Sequence, residues 1–333
     1  MDAWMHEIGL SGSPIYPFTF SHPAPCHCLR DHFMNESDKI PGNFKSGYVA
    51  LIGSPNAGKS TLMNRLLDEK LAIVTPKPQT TRFRVTGIMN GHNYQLILLD
   101  TPGLIAPGYL MQKKMMEITR RAISDADLVA AILDGSRLPG HDDILKSWLD
   151  PVMKPKLLIV NKIDITPAPV QEDLDDIMNE YKCSEGIRIS AKTGEGIDRL
   201  IPLFLKHSQT GFPFYPPDQL SHNPERFFVS ELIREQLILK YGEEIPYAAN
   251  VQILDFKERP GKKDFIQAVI TVERDSQKAI LIGRQGRAIK SLGQDAREAA
   301  EKFLGRPVYL ELAVRVRKKW RKDSRALREM GFE

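Results

Sequence analysis

Short apolar runs recur along the first two thirds of the chain, and each ends in glycine or polar residues. They occupy positions 48–52, 96–99, 128–133 and 157–160. Continuous apolar runs of this length predict strands that are buried on both faces, as in a parallel sheet. Positions 111–124, 141–150, 170–182 and 196–207 show helical spacing between and after these runs. The alternation predicts an α/β domain, a mainly parallel sheet with helices on both faces.

The pattern changes after position 208. Segment 209–218 contains one glycine and three prolines, so 209–223 is predicted to be a linker. An amphipathic helix is predicted at 224–240, and alternating strands at 247–256 and 264–273. Two helices around a glycine-containing loop and a last strand complete the order α-β-β-α-α-β. The sequence therefore predicts a first domain at 46–208 and a smaller α+β domain at 224–333.

The first 45 residues differ from the rest of the chain. They carry five prolines, scattered histidines and no period, so we expect a disordered extension. Cys26 and Cys28 beside His27 offer metal ligands, but their spacing matches no standard zinc pattern. Met34 is a possible second start site, immediately ahead of the polar residues that lead into the first strand.

Composition excludes several classes of protein. Hydrophobic residues make up 42% and charged residues 26% of the 333 positions, as in ordinary globular domains. The net charge of +4 does not by itself indicate nucleic-acid binding. No apolar run approaches the roughly 20 residues that span a bilayer, and three cysteines favour a reducing compartment. We therefore expect a cytoplasmic monomer.

The segment after the first apolar run reads GSPNAGKS, at positions 53–60. A strand, this G-x-x-x-x-G-K-S loop and a helix form a phosphate-binding P-loop, whose backbone N–H groups attract phosphate oxygens. Lys59 is expected to reach the β- and γ-phosphates, and Ser60 to bind Mg²⁺. The predicted nucleotide contacts in this segment are Gly53, Ser54, Pro55, Asn56, Ala57, Gly58, Lys59, Ser60 and Thr61.

Three further motifs follow later apolar runs. The first is Asp100-Thr101-Pro102-Gly103, in which the carboxylate is placed to hold Mg²⁺ through water and the glycine N–H to sense the γ-phosphate. The second contains Asn161, Lys162 and Asp164. Asp164 can accept from both N1–H and N2–H₂ of guanine, whereas adenine would leave that carboxylate unpaired. The third is Ser190-Ala191-Lys192, where the Ala191 N–H suits the guanine carbonyl. Together they predict binding of GTP or GDP.

These motifs resemble those of P-loop GTPases, and the segment PKPQTTR at 76–82 resembles the first switch of the Era family. The resemblance implies that a threonine of this switch closes over Mg²⁺ and the γ-phosphate; we favour Thr81 and keep Thr80 as the alternative. The implied metal ligands are Ser60, Thr81 and Asp100. The implied catalytic residues are Lys59, Thr81, Asp100 and Gly103.

Leu104 follows the DTPG motif at the position where Ras-like enzymes carry a glutamine, and we include it among the nucleotide contacts. A leucine cannot orient the attacking water, so intrinsic hydrolysis is expected to be slow or assisted. Asn56 matches the asparagine that helps hold a monovalent cation in related GTPases. By resemblance, K⁺ is a possible further cofactor, with loop shaping as the alternative role of Asn56.

Segment 277–290 contains the pattern I-G-R-Q-G-R-x-I-K between two predicted helices. This pattern and the α-β-β-α-α-β order resemble a type II KH domain, which binds single-stranded RNA. Two glycines let the backbone approach phosphates closely. Apolar side chains at 280, 282 and 289 would form the floor of the groove or part of the core. The predicted RNA contacts are Ile282, Gly283, Arg284, Gln285, Gly286, Arg287 and Lys290.

The C-terminal region adds eight basic residues against one acid between positions 315 and 328. We predict a basic C-terminal helix in which Arg317, Lys318 and Lys319 contact phosphates and Trp320 stacks on a base. A solvated helix face and contact with anionic lipid are the alternatives. A separate basic turn at 257–263 lies between the two predicted strands of this domain.

A GTPase domain followed by a KH domain resembles the Era family over residues 46–333. The resemblance implies a GTPase that binds 16S rRNA near its 3′ end and acts in assembly of the 30S subunit and rRNA maturation, with nucleotide state switching RNA binding. Peripheral contact with the inner face of the cell membrane is a further possibility. The rival classes are an RNA-binding scaffold without turnover, a membrane or transport GTPase, and a tRNA-modification or tandem-domain GTPase.

Overall fold

The computed structural model describes residues 42–137, 142–165 and 174–332. Within these ranges the strands are β1 Lys45–Ile52, β2 Val85–Gly91, β3 Tyr94–Asp100, β4 Leu128–Asp134, β5 Lys156–Asn161, β6 Glu185–Arg188, β7 Gln209–Thr210, β8 Asn250–Lys257, β9 Asp264–Val272 and β10 Val308–Val316. The helices are α1 Lys59–Leu67, α2 Leu110–Asp125, α3 Asp143–Leu149, α4 Leu174–Glu180, α5 Leu200–Lys206, α6 Glu225–Lys240, α7 Ile245–Ala248, α8 Asp275–Ile282, α9 Arg287–Leu304 and α10 Ser324–Glu329.

The first sheet has the strand order β2-β3-β1-β4-β5-β6, with β7 added to the start of β1. Strands β3, β1, β4, β5 and β6 run parallel, and only β2 at the edge and β7 are antiparallel to their neighbours. Buried apolar side chains form one core on each face of this sheet. The predicted mainly parallel sheet with helices on both faces is confirmed.

The predicted element positions are close to those observed. The helix predicted at 111–124 is α2, the helix predicted at 141–150 contains α3, and the one predicted at 196–207 contains α5. Of the helix predicted at 170–182, α4 covers the central part, and 170–173 lie outside the described residues. The extension predicted at 1–45 also falls outside them as far as residue 41, and so do the Cys26 and Cys28 pair.

The second sheet has three strands in the order β10-β9-β8. Strand β9 is antiparallel to β8 and parallel to β10, while α6, α8 and α9 contribute to the core on one face. Gly283 and Gly286 lie between α8 and α9, as the sequence predicts. The α-β-β-α-α-β order of the smaller α+β domain is confirmed.

The predicted linker is docked along the first domain. Gln95 of β3 accepts hydrogen bonds from the backbone N–H groups of Phe214 and Tyr215, at 2.7 and 2.9 Å. The backbone N–H of Ile88 on the edge strand β2 donates to the carbonyl of Leu220 at 2.8 Å. Gln209 and Thr210 at the start of the predicted linker form β7 against β1. Beyond them the breaker residues prevent a regular element, and the segment covers the β2 edge of the sheet.

The prediction of a basic C-terminal helix is wrong for most of its cationic residues. Arg315 lies in β10, and Arg317, Lys318 and Lys319 connect that strand to a short 3₁₀ turn at Trp320–Lys322. Only Arg325 and Arg328 lie in the final helix α10. Apolar and basic residues alternate at 314–317, with the period of a strand, and this is the signal that favours a strand.

Trp320 is wrongly predicted to stack on RNA. Its side chain is 0% exposed, and its indole N–H donates to the carbonyl of Ala248 at 2.9 Å. It packs in the core on one face of the first sheet, together with Leu327 and Phe332 of the C-terminal segment. Trp320 therefore joins the two domains.

We expect Trp320→Ala to lower the free energy of unfolding by about 3–5 kcal/mol, because it removes a fully buried ring from a packed core. Urea denaturation checks this value. The matched control is Trp148→Ala, since Trp148 is only partly buried, under the guanidinium of Arg120. Equal losses for the two variants would contradict the structural role of Trp320.

Candidate nucleotide site and nucleic-acid interface

The loop between β1 and α1 depends on glycines where no side chain fits. A Cβ on Gly53 would lie 2.3 Å from the carbonyl oxygen of Ile132, and one on Gly58 2.1 Å from the side-chain nitrogen of Asn161. Gly58 has φ +99° and immediately precedes α1. The loop therefore turns directly into the helix N-terminus, where backbone N–H groups attract anions.

Lys59, the first residue of α1, is folded back over this loop. Its Nζ donates to the carbonyls of Gly53 and Ser54, both at 2.9 Å. Burial lowers the pKa of Lys59 to about 8, although the Asp100 charge opposes that shift. An anion in the loop would raise this pKa again, because a nearby negative charge favours the positive form, so the ammonium group is placed for phosphate.

Ser60, Thr81 and Asp100 come together at the head of α1. Ser60 Oγ donates to Asp100 Oδ2 at 2.6 Å, and lies 3.0 Å from Thr81 Oγ1. Burial raises the pKa of Asp100 to about 6, and its Oδ1 has no hydrogen-bond partner among the described residues. Two hydroxyls and an underused carboxylate are the hard oxygen donors that Mg²⁺ prefers, so the residues present fit this ion.

The two candidate threonines of the first switch point to different places. Thr80 Oγ1 bonds Thr75 Oγ1 and the carbonyl of Lys77, both at 2.7 Å. Thr81 Oγ1 lies 3.4 Å from Asp100 Oδ2. The geometry therefore favours Thr81 at the metal position.

The segment after β3 packs tightly on the P-loop. A Cβ on Gly103 would lie 2.8 Å from backbone atoms of Pro55, so only glycine allows this approach. Thr101 is buried and donates to the carbonyl of Leu51. Leu104 is 0% exposed, and its N–H donates to the Gly53 carbonyl at 3.1 Å. The Leu104 side chain thus lies in the core, and the residue meets the P-loop through its backbone; its place among the nucleotide contacts stays a prediction.

The last two motif segments meet the P-loop at the same edge of the sheet. Asn161 bridges them, since its Nδ2 donates to the Ala57 carbonyl at 2.8 Å and its Oδ1 accepts from the Ala191 N–H at 2.9 Å. Ser190 Oγ donates to Asp164 Oδ1 at 2.7 Å. The predicted base-reading carboxylate is thus held in place by the third motif.

Lys162 and Arg65 have partners that the sequence motifs do not indicate. Lys162 Nζ lies 2.7 Å from Asp134 Oδ2, at the end of β4. Arg65 of α1 donates to the carbonyls of Ala191 and Lys192 at 3.3 and 2.5 Å. Asp134 follows the apolar run at 128–133, and this position at the carboxyl end of a strand could have marked it as a residue of the site.

A cavity of about 430 Å³ opens above these groups. Nine of the predicted nucleotide or metal residues are among those that line it: Pro55, Asn56, Gly58, Lys59, Ser60, Thr61, Thr81, Gly103 and Lys162. Residues 73–76, which lead into the first switch, also line the cavity.

The loop between α8 and α9 has the backbone that its glycines predict. Gly283, Gln285 and Gly286 have φ values of +71°, +52° and +75°. A Cβ on Gly283 would approach that of Ala288 to 2.6 Å, whereas Gly286 faces open space. Arg284 and Arg287 are exposed. The predicted RNA contacts of this loop therefore share one accessible surface.

Beside this loop, Ile280 is 53% exposed, so it forms a surface and not the core. Ile289 packs partly against the core, which is the alternative that the sequence left open. Of the predicted C-terminal contacts, Lys318 and Lys319 are exposed, while Arg317 pairs with Glu329 at 2.5 Å.

The first switch is bonded to the second domain. Arg234 of α6 donates to the Thr80 carbonyl at 2.5 Å. Arg82 donates to the carbonyls of Pro246 and Ala249, at the two ends of α7, both at 2.7 Å. Lys77 Nζ donates to the carbonyl of Ile238 at 2.6 Å. No sequence motif signalled these contacts.

Comparison with known proteins gives two domain matches. Residues 48–162 match the family described as 50S ribosome-binding GTPase, and residues 244–321 match the KH domain family. GTPase Era of Geobacter metallireducens is 43% identical over 87% of this chain and 98% of its own length. The chain belongs to the Era GTPase family.

Further relatives agree with this assignment. The protein named GTPase ERA-like, chloroplastic, of Arabidopsis thaliana is 42% identical over 91% of this chain and 73% of its own length. The solved structure of a single-residue variant of Aquifex aeolicus Era bound to GDP·AlF₄⁻ has 36% identity and a TM-score of 0.82, covering 87% of this chain and 99% of that one. A structure of Era with MgGDPNP and nucleotides 1506–1542 of 16S rRNA matches at 37% identity, with the same TM-score and coverages.

As an Era-family member, the chain is a GTPase of the P-loop class with a KH domain. None of the helices within the described ranges has both the length and the apolar character needed to cross a membrane. The individual roles of the nucleotide-site and RNA-site residues stay predictions.

Gly58→Ala tests the packing between the P-loop and Asn161. We expect nucleotide affinity to fall about a hundredfold, because the Cβ strains a positive φ and displaces the Asn161 amide that bridges Ala57 and Ala191. Titration with a fluorescent GDP derivative measures the change.

Gly194→Ala is the control, since Gly194 has φ +95° and a Cβ there would meet no atom within 4 Å. It imposes a similar backbone strain without the collision. Equal nucleotide affinities of the Gly58→Ala and Gly194→Ala variants would show that the Asn161 bridge does not hold the P-loop.

Proposed function

We propose that this protein binds and hydrolyses GTP, binds 16S rRNA near its 3′ end, and acts in assembly of the 30S ribosomal subunit and rRNA maturation. One observation carries the proposal: Thr80, whose neighbour Thr81 lies at the metal position, is bonded through its carbonyl to the RNA-binding domain. The proposal extends to this chain what the compared Era structures are described as binding, namely guanine nucleotides, Mg²⁺ and 16S rRNA.

In the proposed nucleotide site, Lys59 and the N–H groups of the P-loop bind the phosphates. Ser60, Thr81 and Asp100 hold Mg²⁺, which when bound neutralises the charge that develops on the phosphates. Gly103 offers its backbone N–H to the γ-phosphate. Asp164 reads guanine while Ser190 holds its carboxylate, and the Lys162 stem covers the base plane.

Water attack on the γ-phosphate has no glutamine to orient it, since Leu104 is buried in the core. Asn56 supports a role for K⁺ at the phosphates. Its Nδ2 donates to the Pro76 carbonyl at 3.0 Å, which leaves its Oδ1 directed away from that bond. A monovalent cation there would supply positive charge where an arginine acts in other GTPases.

The RNA site proposed for the KH domain consists of Gly283, Arg284, Gln285 and Gly286, with the basic side chains of Arg287 and Lys290. The open space at Gly286 supports a close approach of the RNA backbone. Ile282 is half-buried beside the loop and contributes to the groove. Lys318 and Lys319 extend the positive surface.

Nucleotide and RNA are coupled, in this proposal, because the first switch touches both sites. Mg²⁺ would hold Thr81 inward, and this geometry presents the Thr80 carbonyl to Arg234 and the Arg82 guanidinium to α7. The KH loop is exposed in the same conformer. If nucleotide and RNA both prefer this conformer, each strengthens the binding of the other.

We further propose a cytoplasmic monomer that contacts the 30S subunit. Peripheral contact with the inner face of the membrane is the alternative use of the exposed cations at 318 and 319, and lipid flotation tests it. Relatives named chloroplastic make an organelle the alternative compartment.

The experiment that tests this function is GTP hydrolysis by the purified protein in K⁺ and in Na⁺ buffer, with and without an RNA of the 16S 3′ end. We expect the RNA to accelerate phosphate release through the switch contacts. We expect K⁺ to exceed Na⁺, because a bound K⁺ would supply positive charge in a site that lacks a glutamine. No turnover under any of these conditions would favour the RNA-binding scaffold. Equal rates in K⁺ and Na⁺ would remove the cation role of Asn56.

The link through Arg234 is tested by the double variant Glu231→Gln, Arg234→Met, which removes a buried ion pair without leaving a lone charge. We expect RNA affinity without nucleotide to stay within about twofold, since the groove is not altered, and RNA stimulation of hydrolysis to be lost. Stimulation at the native level would contradict the link. The matched control is Lys70→Met, Glu235→Gln, which removes another ion pair between the first domain and α6 without leaving a lone charge and does not touch Thr80.

A further inference from the structure

The turn between β8 and β9 carries a second surface, at the far end of the KH domain from the glycine loop. Helix α9 starts at that loop and is 18 residues long, which corresponds to about 27 Å. Residues 306 and 307, just beyond its end, line a hollow of about 500 Å³ together with residues 258–264 of the turn.

Three side chains form one row across the open face of the sheet. Lys257, Phe265 and Tyr309 are direct register partners on β8, β9 and β10. The Phe265 and Tyr309 rings are stacked, with centroids 6.0 Å apart and planes inclined by 16°. The alternate residues Ile266 and Ala268 are buried beneath the helices, so this row faces away from the core.

The outer end of the row is accessible. Tyr309 is 52% exposed, and β10 is the edge strand of the sheet. Phe265 covers one face of the Tyr309 ring, and the second face points beyond the sheet edge. A nucleic-acid base can stack on such a face whatever its sequence.

The inner end of the row is cationic. The guanidinium of Arg259 lies 5.0 Å and Nζ of Lys257 5.8 Å from the Phe265 ring centroid. Among the described residues, Arg259, Lys262 and Lys263 form no ion pair, whereas Lys257 pairs with Asp255. The turn therefore keeps uncompensated positive charge, with exposed Glu258 as the acid inside it.

Two ion pairs fix the turn in position. Arg306 binds Asp264 at 2.5 Å and Glu225 of α6 at 2.6 Å. Asp264 Oδ1 also accepts from the Arg259 N–H at 2.9 Å. Arg306 thus holds both Asp264 and Glu225 with its one positive charge, and the cations of the turn project from a preorganised base.

We propose that this surface, the hairpin platform of Lys257, Arg259, Lys262, Lys263, Phe265 and Tyr309, binds single-stranded RNA that extends beyond the KH groove. Stacked aromatic rings next to unpaired cations are the combination that tracks a single strand, with bases on the rings and phosphates on the cations. Glu311 and Asp255 form the next row of the sheet, so the backbone of the RNA passes on the turn side of the rings. The inference rests on the proposed RNA-binding function.

The test compares two RNAs of the 16S 3′ end on the full-length protein. One has about six nucleotides, enough for a KH groove that grips four; the other has about twenty nucleotides and extends the same core at both ends. We expect Lys262→Glu, Lys263→Glu to leave the short RNA unaffected. For the long RNA it should weaken binding and reduce the slope of log K against log salt by about 1.4, as for two lost phosphate contacts.

The rings have their own variant. Tyr309→Ala should weaken the long RNA about tenfold, and Tyr309→Phe should restore it, because a phenyl ring still stacks. Leu254→Ala, which truncates an equally exposed side chain on β8, should bind like the native protein. The charge control is Lys182→Glu, Lys206→Glu, two exposed lysines on the first domain.

The outcomes separate this inference from the proposed function. Native protein that binds neither RNA would overturn the RNA-binding function itself. Native binding of both RNAs, with no change of the long-RNA affinity in the platform variants, would overturn the platform and leave this surface to a protein partner. Equal loss of affinity for both RNAs would show that the variants disturb the KH groove, and would also overturn the platform.

Discussion

The peptide that joins Thr80 to Thr81 is the constraint on which the rest of the structure depends. One side of it places a hydroxyl 3.4 Å from the Asp100 carboxylate, and the other places a carbonyl 2.5 Å from Arg234 of the second domain. The planar peptide carries the Thr80 carbonyl and ends at the Thr81 Cα, and the hydroxyl follows after only two torsions, so a large movement of either group shifts the other. In the proposed function, this short connection couples the occupancy of the metal position to the seating of α6.

The charged side chains that join the first switch to the second domain are buried. Arg82 and Arg234 are 2% and 1% exposed, and Glu231 is the acid that pairs with Arg234. Burial lowers the pKa of Arg82, and the charge of Arg234 lowers it further. Arg82 Nε and one terminal nitrogen of Arg234 already have no hydrogen-bond partner among the described residues, so the remaining bonds of these buried charges matter more. Loss of the α7 carbonyls would strand the Arg82 guanidinium, so the docked arrangement is favoured as a whole or not at all. Because the linker is bound along the first domain, a change in how the two domains dock would occur at the switch contacts.

The nucleotide site could be predicted from the sequence because its motifs follow strands. Parallel strands end at one edge of a sheet, so segments far apart at 53–60, 100–103, 161–164 and 190–192 must meet there. The glycines at 53, 58 and 103 could also be predicted from these motifs, because close backbone contacts at these positions leave no room for a side chain. The KH loop was equally readable from its two glycines between helices.

Other features had no local signal. Trp320 sits in a basic run that suggests a solvent-exposed surface, and only the path of the chain over the first domain shows that its ring fills a core. Arg82 belongs to a switch motif, but its partners are main-chain carbonyls, which any sequence provides. Contacts of this kind depend on how two domains dock, and neither period nor motif encodes that.

Coupling between the two sites can be measured as the affinity of the full-length protein for the 16S 3′-end RNA, once with GDP and once with a non-hydrolysable GTP analogue, both with Mg²⁺. The γ-phosphate engages the segment that carries Thr81, so we predict at least about fivefold tighter RNA binding with the GTP analogue, the lower end of typical coupling. By reciprocity, the RNA should tighten the analogue by the same factor. Identical RNA affinities in the two nucleotide states would contradict the coupling of the two sites.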